Sequence, residues 1–192
     1  MWYTHPLWII HFLFWWPFIL RGQVERMKGT GAHLGEVRHR HPRAVELVAV
    51  HSVGVFLMYF GIGDGAAKGM GREFGAPMVV GGLLIFAGSA LARWTIQTFR
   101  SWRLRAELTE HHVLETGGPY RYLRHPIYMA MNLLALGTAV WIPNVWTALG
   151  LVVTVVVSDL RARAEEGLLV TAFGDDYRAY MARVRRFVPG VY

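Results

Sequence analysis

Nineteen consecutive residues near the start of the chain, Trp2–Leu20, contain no Asp, Glu, Lys or Arg. A helix of that length can cross a hydrocarbon core about 30 Å thick. Arg21 follows this run and no positive charge precedes it, which favours a first membrane helix over a cleavable signal peptide. This segment is therefore expected to lie in a membrane.

Four further apolar segments follow the first and are separated by charged stretches. They are Ala44–Ile62, Pro77–Phe99, Ile127–Ile142 and Val145–Val157. Pro143 and Asn144 separate the last two, and because proline ends a helix and asparagine suits a turn, residues 127–157 should form a helical hairpin. The last segment is expected to continue as a polar helix over Leu160–Phe173. The fold class predicted is all-α, a polytopic transmembrane bundle of about five spans.

The distribution of Lys and Arg between these segments predicts the orientation. The connections rich in positive charge are 21–43, with six such residues, and 100–126, with five, and the tail from 158 has six arginines. The 63–76 connection has only Lys68 and Arg72. Since positively charged loops stay on the cytosolic side, the N-terminus is predicted to lie outside and the C-terminus in the cytosol.

Composition narrows the possible functions. The chain is 54% hydrophobic and carries a net charge of +7, and its basic residues flank the apolar segments, where contact with anionic lipid explains them without nucleic acid. There is no cysteine, which excludes thiolate nucleophiles and cysteine-bound zinc. Residues 1–99 are expected to form three membrane helices, and residues 100–192 hold most of the polar clusters.

Two of these clusters are candidates for chemistry. One extends from His112 to Tyr128, and the other begins at Arg161 and ends near Pro189. Taken singly, each has a simple structural explanation, an interfacial anchor for the first and a solvated helix with an Arg161–Glu165 ion pair for the second. The hairpin, however, must return the chain to the face it left. The two clusters should then meet at one membrane surface and form a pocket there.

The order of short motifs in these clusters resembles the isoprenylcysteine carboxyl methyltransferase family, and phospholipid N-methyltransferases share a similar C-terminal half. The resemblance covers roughly residues 110–190 and departs from the family pattern at Ala130, where glycine is frequent. The motifs that carry it are His112-x-Leu114, Gly118-Pro-Tyr-Arg-Tyr122, Arg124-His-Pro-x-Tyr128, Arg161-x-x-x-Glu165-Glu166 and Phe173-Gly-x-x-Tyr177.

This resemblance implies a pocket for S-adenosylmethionine at the cytosolic face, within a cofactor-binding half formed by residues 100–192. The residues implied to bind the cofactor are His112, Leu114, Gly118, Tyr120, Arg124, His125, Pro126, Tyr128, Glu165 and Glu166. Among them the two glutamates would approach the ammonium or the ribose hydroxyls. Arg161 would face the polar group of the substrate, and the residues implied in catalysis are Arg161, His125 and Glu165.

The function expected is methyl transfer from S-adenosylmethionine to a lipophilic small molecule or lipid. The acceptor group is left open between a carboxylate, which needs no base, and an amine, for which His125 or Glu165 would take the proton. Two alternatives stay open: a membrane sterol-type reductase that uses NADPH, and a membrane protein without enzymatic activity. Neither a metal nor nucleic acid is expected.

Two histidines lie well away from the ends of predicted membrane segments. His11 and His51 lie at similar depth on neighbouring antiparallel helices when counted inward from Arg21 and Arg43. Because ionisable groups are costly inside a membrane, they should have a partner or a function. A hydrogen bond between the two that locks the helices together is the favoured prediction, ahead of a role in substrate binding.

Overall fold

Five α-helices make up most of the part of the chain that the structure describes, and each contains most or all of one predicted apolar segment. The computed structural model describes residues 6–27, 37–98, 107–109 and 114–192. Its helices are α1 (Pro6–Met27), α2 (Ala44–Ala67), α3 (Ala76–Thr98), α4 (Pro126–Trp141) and α5 (Val145–Arg183). The fold class is all-α, as predicted, and two short strands that the sequence did not predict, β1 (Val37–Arg40) and β2 (Glu107–Thr109), pair in an antiparallel manner.

Three of the helices, α2, α3 and α5, are long and apolar enough to cross a membrane. The apolar part of α1, Pro6–Arg21, and the helix α4 are shorter, and α4 with its 16 residues is about 24 Å long. The number of apolar helices is therefore as predicted, and three of them meet the length of a full span. The polar continuation predicted to Phe173 is also present, because α5 extends to Arg183 with a single interruption at Gly174.

The turn between α4 and α5 forms where Pro143 and Asn144 predicted it. Asn144 caps α5, because its Oδ1 accepts from the backbone N–H groups of Trp146 and Thr147, both at 3.0 Å. The Asn144 Nδ2 group also donates to the Gly61 carbonyl at 2.8 Å, which ties the turn to α2. One side chain thus fixes the start of α5 and its position beside α2.

Helices α2 and α5 pack in antiparallel contact through small residues, which allow two backbones to approach closely in a membrane. At Gly61 an added Cβ would lie 2.7 Å from both the backbone nitrogen and Cγ2 of Thr147. At Gly63, two residues further on, an added Cβ would meet nothing within 4 Å. The two positions share a helix and a depth but differ in packing.

Replacing Gly61 with alanine should therefore destabilise the protein by about 1–3 kcal/mol, the usual cost of overpacking a filled interface. Gly63→Ala is the matched control and should leave stability unchanged or raise it slightly, since alanine favours a helix over glycine. Thermal unfolding in detergent measures both. Equal shifts in the two variants would contradict the α2–α5 packing described here.

His11 joins three helices and does not contact His51 as predicted. Its Nδ1 lies 3.2 Å from the Tyr59 hydroxyl on α2, and its Nε2 lies 2.9 Å from Thr138 Oγ1 on α4. The predicted His11–His51 hydrogen bond is wrong, because the two rings face different neighbours although their depth is similar. His51 instead contacts Arg161 on α5, with 3.0 Å between His51 Nδ1 and Arg161 Nη1.

After α5 the chain folds back beside the segment that precedes α4. Leu123 and Arg185 form a parallel bridge, and the backbone N–H groups of Arg124 and His125 donate to the carbonyls of Arg185 and Arg186 at 2.9 and 3.2 Å. The tail is thereby held against the first residues of the hairpin. These backbone hydrogen bonds hold Arg124 and His125 in position independently of the contacts of their side chains.

Candidate active site

The polar clusters meet at the end of the bundle where α2 and α4 begin and α3 ends. A short 3₁₀ turn, Gly118–Arg121, lies there against the last turn of α3. Gly118 has a φ of 52°, and a Cβ on it would lie 2.6 Å from Thr98 Oγ1, so only glycine fits. The Tyr180 hydroxyl donates to the Tyr120 carbonyl at 2.6 Å and holds this turn to α5.

Glu166 is the centre of a charged network at this end. Its Oε1 accepts from Arg124 Nε at 2.9 Å and from Arg186 Nε at 3.1 Å, and its Oε2 accepts from Arg186 Nη2 at 2.7 Å. The Arg124 guanidinium also donates to the carbonyls of Met181 and Val184 at the end of α5. The network therefore connects the start of α4, the middle of α5 and the C-terminal tail.

His125 lies between two carboxylates. Its Nε2 is 3.2 Å from Glu166 Oε1 and its Nδ1 is 3.5 Å from Glu165 Oε2. Burial disfavours the charged ring, but the hydrogen bonds and charges of both glutamates outweigh it and raise the pKa of His125 above its ordinary value. Since each ring nitrogen faces a carboxylate, the geometry also favours a ring that carries both protons.

The raised pKa of His125 links stability to pH. The protonated ring of His125, paired with the two glutamates, stabilises the folded protein. This contribution is complete below the ordinary histidine pKa of about 6.5 and is lost as pH rises through the higher pKa of the folded state. The difference in thermal midpoint between the wild type and a His125→Gln variant should therefore shrink as pH is raised above about 6.5. A difference that stays constant or grows with pH would show that His125 is not held as an imidazolium.

Tyr128 connects this network to a second pair of residues. Its hydroxyl donates to Glu165 Oε1, and its ring stacks on that of His125 with 5.7 Å between centroids. The Arg161 guanidinium carbon lies over the Tyr128 ring, 4.9 Å from its centre. Arg161 in turn contacts His51. The residues from Glu165 to His51 thus form a continuous polar path from the end of the bundle into the membrane segments.

The convergence of the two polar clusters is confirmed by these contacts. Leu114 is half-buried, Tyr120 is buried in the 3₁₀ turn, and Pro126 is buried in the first turn of α4. Burial raises the pKa of the Tyr120 hydroxyl well above its ordinary value, so that side chain stays neutral. His112 lies outside the described residues.

Three residues that take part in these contacts were not among the predicted site residues: His51, Arg186 and Tyr192. The Tyr192 hydroxyl donates to Asp159 Oδ1 at 2.9 Å and accepts from Arg186 Nη1 at 2.8 Å, so the last residue of the chain closes the network. An ionisable residue within a membrane segment was a signal for His51, and the run of arginines before Phe187 was a signal for Arg186.

An apolar groove of about 380 Å³ lies between α4 and α5, one helical turn from Tyr128. Asn132 is its one polar lining residue and accepts from the Ser158 hydroxyl at 3.0 Å. The groove is open on its outer side. Its other lining residues are Met129, Leu133, Leu136, Leu151, Val152, Val155 and Val156.

Comparison with known proteins connects this site to an enzyme family. The protein-S-isoprenylcysteine O-methyltransferase of Schizosaccharomyces pombe is 39% identical over 79 residues, which are 41% of this chain and 34% of that protein. The enzyme of the same name from Dictyostelium discoideum is 30% identical over 90 residues, which are 46% of this chain and 38% of that protein. An uncharacterized protein of Haemophilus influenzae is 32% identical over 63 residues, its whole length and 32% of this chain.

The matched segment spans little more than a third of the two named methyltransferases. The family described as phospholipid methyltransferase matches residues 76–176, which is more than half of the chain and includes the 3₁₀ turn, α4 and both glutamates. The length and composition of the helices agree with a membrane location. The chain is therefore an integral membrane protein that belongs to the phospholipid methyltransferase family and is similar over part of its length to protein-S-isoprenylcysteine O-methyltransferases.

Proposed function

We propose that the protein transfers a methyl group from S-adenosylmethionine to a lipophilic acceptor at the cytosolic face of the membrane. The observation that carries this proposal is the meeting of Glu165, Tyr128 and Arg161 at one end of the bundle, one turn from an apolar groove. Polar groups are thus available beside a surface that suits a hydrocarbon chain. The high density of arginine in the regions that form this end favours the cytosolic side.

The residues at this end suit the cofactor. When bound, S-adenosylmethionine supplies an electrophilic methyl group on a positively charged sulphur. Glu165 is the carboxylate best placed for its ammonium or ribose hydroxyls, because its side chain is 25% exposed and that of Glu166 is 10% exposed. Tyr120, Tyr128, Leu114 and Gly118 would border the cofactor, and His112 would line it together with Leu114.

The proposed pocket would be supported by residues that do not themselves bind the cofactor, namely Glu166, Arg124 and His125. Both oxygens of Glu166 already accept hydrogen bonds from the arginines of its network. We therefore assign Glu166 to holding Arg124 and His125 in place, and Pro126 to starting α4 immediately after them. Through Tyr128, which stacks on His125, this support also fixes the ring that lies beside Arg161.

Arg161 would hold the polar group of the acceptor, whose hydrocarbon chain would lie in the groove between α4 and α5. A carboxylate acceptor loses no proton on methylation, so positioning and charge suffice for catalysis. An amine acceptor would lose one, and Glu165 is then the better base. His125 is less suited to that role, because its two ring nitrogens already face the two glutamates, which raise its pKa.

Methyl transfer is tested with purified protein in detergent and methyl-labelled S-adenosylmethionine. The acceptor probes are N-acetyl-S-farnesyl-L-cysteine, which offers a carboxylate, and dioleoyl phosphatidylethanolamine, which offers an amine. We expect label in the lipid extract with at least one of them and loss of that label in a Glu165→Gln variant. A wild-type protein that labels neither probe, or a variant as active as the wild type, would contradict the proposal.

A further inference from the structure

His51 is the one residue of the polar path that comes from the N-terminal half of the chain. It lies in the second turn of α2, is 2% exposed, and its Nδ1 is 3.0 Å from Arg161 Nη1. Its ring centroid is 6.4 Å from that of Tyr128. The histidine thus lies deeper in the bundle than Glu165, on the far side of Arg161.

The contact with Arg161 decides which ring nitrogen of His51 carries the proton. A guanidinium donates hydrogen bonds and accepts none, so His51 Nδ1 must accept and must therefore be unprotonated. In the neutral ring the proton then lies on Nε2. That Nε2–H group is buried and has no hydrogen-bond partner among the described residues. A donor without a partner is costly inside a membrane, where water cannot replace one.

A second buried polar atom without a partner among the described residues lies on α5, where that helix packs against α2. It is the hydroxyl of Thr154, and a Cβ on Gly54, less than one turn from His51, would lie 3.0 Å from it. Native proteins satisfy nearly all buried polar groups. Together, these two atoms at the contact between α2 and α5 indicate a place where a ligand supplies the missing acceptor.

We propose that His51 determines the specificity for the acceptor, by donating its Nε2–H to an oxygen of an anionic acceptor group that Arg161 also holds. This inference rests on the proposed methyl transfer and selects between its two acceptor classes. A carboxylate has enough lone pairs to accept from both residues and still attack the methyl group. A neutral amine has a single lone pair, and if that lone pair accepted a hydrogen bond from His51 it could not attack the methyl group. An ammonium group cannot accept at all.

Two substitutions distinguish the roles of the two ring nitrogens of His51. Asparagine places an oxygen near the Nδ1 position and so keeps the acceptor for Arg161 while it loses the Nε2–H. Glutamine reaches the Nε2 position and keeps a donor there. The test measures binding of N-acetyl-S-farnesyl-L-cysteine, of its uncharged methyl ester and of S-adenosylhomocysteine to the purified full chain, by the change in tryptophan fluorescence.

The wild type should bind the acid about tenfold more tightly than the ester, as expected for charge-assisted hydrogen bonds. His51→Asn should lose about tenfold in affinity for the acid and little for the ester, while His51→Gln stays within about threefold of the wild type for both. Binding of S-adenosylhomocysteine should be unchanged in the two variants. His11→Asn is the matched control, because His11 is equally buried but both of its nitrogens have partners. It should lower the thermal midpoint and leave the ratio of acid to ester affinity unaltered.

The inference is overturned if the wild type does not distinguish acid from ester, or if His51→Asn binds the acid as the wild type does. Equal losses for all three ligands in both variants, with a lower thermal midpoint, would give His51 a structural role and overturn it as well. Failure of the proposed methyl transfer has a different signature. It would appear in the wild type as absence of S-adenosylhomocysteine binding and of label transfer, whatever the acid-to-ester ratio.

Discussion

Glu166→Ala should lower the thermal midpoint of the protein by roughly 6–20 °C. The substitution leaves the guanidinium groups of Arg124 and Arg186 and the ring of His125 without the carboxylate they share. Removing one partner of a buried ion pair costs about 3–5 kcal/mol, and for a chain of this length each kcal/mol changes the midpoint by about 2–4 °C. Thermal unfolding in detergent, followed by circular dichroism, measures the effect.

Asp175→Ala is the matched control on the same helix. Asp175 pairs with Arg178 at 2.8 Å, but the side chain of Asp175 is 97% exposed, and such pairs contribute little to stability. Its midpoint should stay within about 2 °C of the wild type. A Glu166→Ala protein as stable as this control would show that the network at the C-terminal tail does not hold the bundle together.

Glu165→Gln should leave the protein folded and reduce methyl transfer by about 100-fold. Glutamine keeps the size of the side chain and can still accept from the Tyr128 hydroxyl, but it removes the negative charge proposed to face the cofactor. Charge-assisted hydrogen bonds are about twice as strong as neutral ones, so affinity for S-adenosylhomocysteine should fall as well. Single-turnover transfer and equilibrium binding measure the two effects separately.

Asp176→Asn serves as the control for Glu165→Gln, since it removes one exposed negative charge from the same helix away from the site. It should retain wild-type transfer. Glu165→Gln with unchanged transfer and unchanged cofactor affinity would place the cofactor elsewhere at this end of the bundle. If the variant instead loses thermal stability as Glu166→Ala does, Glu165 belongs to the supporting network.

The helices could be predicted from the sequence because long apolar runs and their charged ends report directly on contact with lipid. The predicted segments Ala44–Ile62 and Pro77–Phe99 correspond to α2 and α3 with small differences at their ends. The pairing of β1 with β2 could not be predicted in the same way. Its strands of four and three residues are too short to show an apolar pattern, and their partners are distant in sequence.

The direction in which each side chain points from its helix was harder to predict from the sequence. Spacing along a sequence gives depth in the membrane, but the partner of a residue depends on the rotation of its helix. His11 and His51 share a depth, yet one faces Tyr59 and the other faces Arg161. Glu165 and Glu166 are adjacent and point about 100° apart on α5. The family resemblance implied both in cofactor binding, but their contacts differ, since Glu165 accepts from the Tyr128 hydroxyl whereas Glu166 accepts from Arg124 and Arg186.

The central claim, that this end of the bundle binds S-adenosylmethionine, is tested most directly by calorimetric titration of the purified protein in detergent. S-adenosylhomocysteine and NADPH are titrated separately, because a sterol-type reductase would bind the dinucleotide. We predict saturable binding of S-adenosylhomocysteine with one site per chain, weakened by Glu165→Gln, and no binding of NADPH. Binding of NADPH alone would contradict the account and favour the reductase alternative.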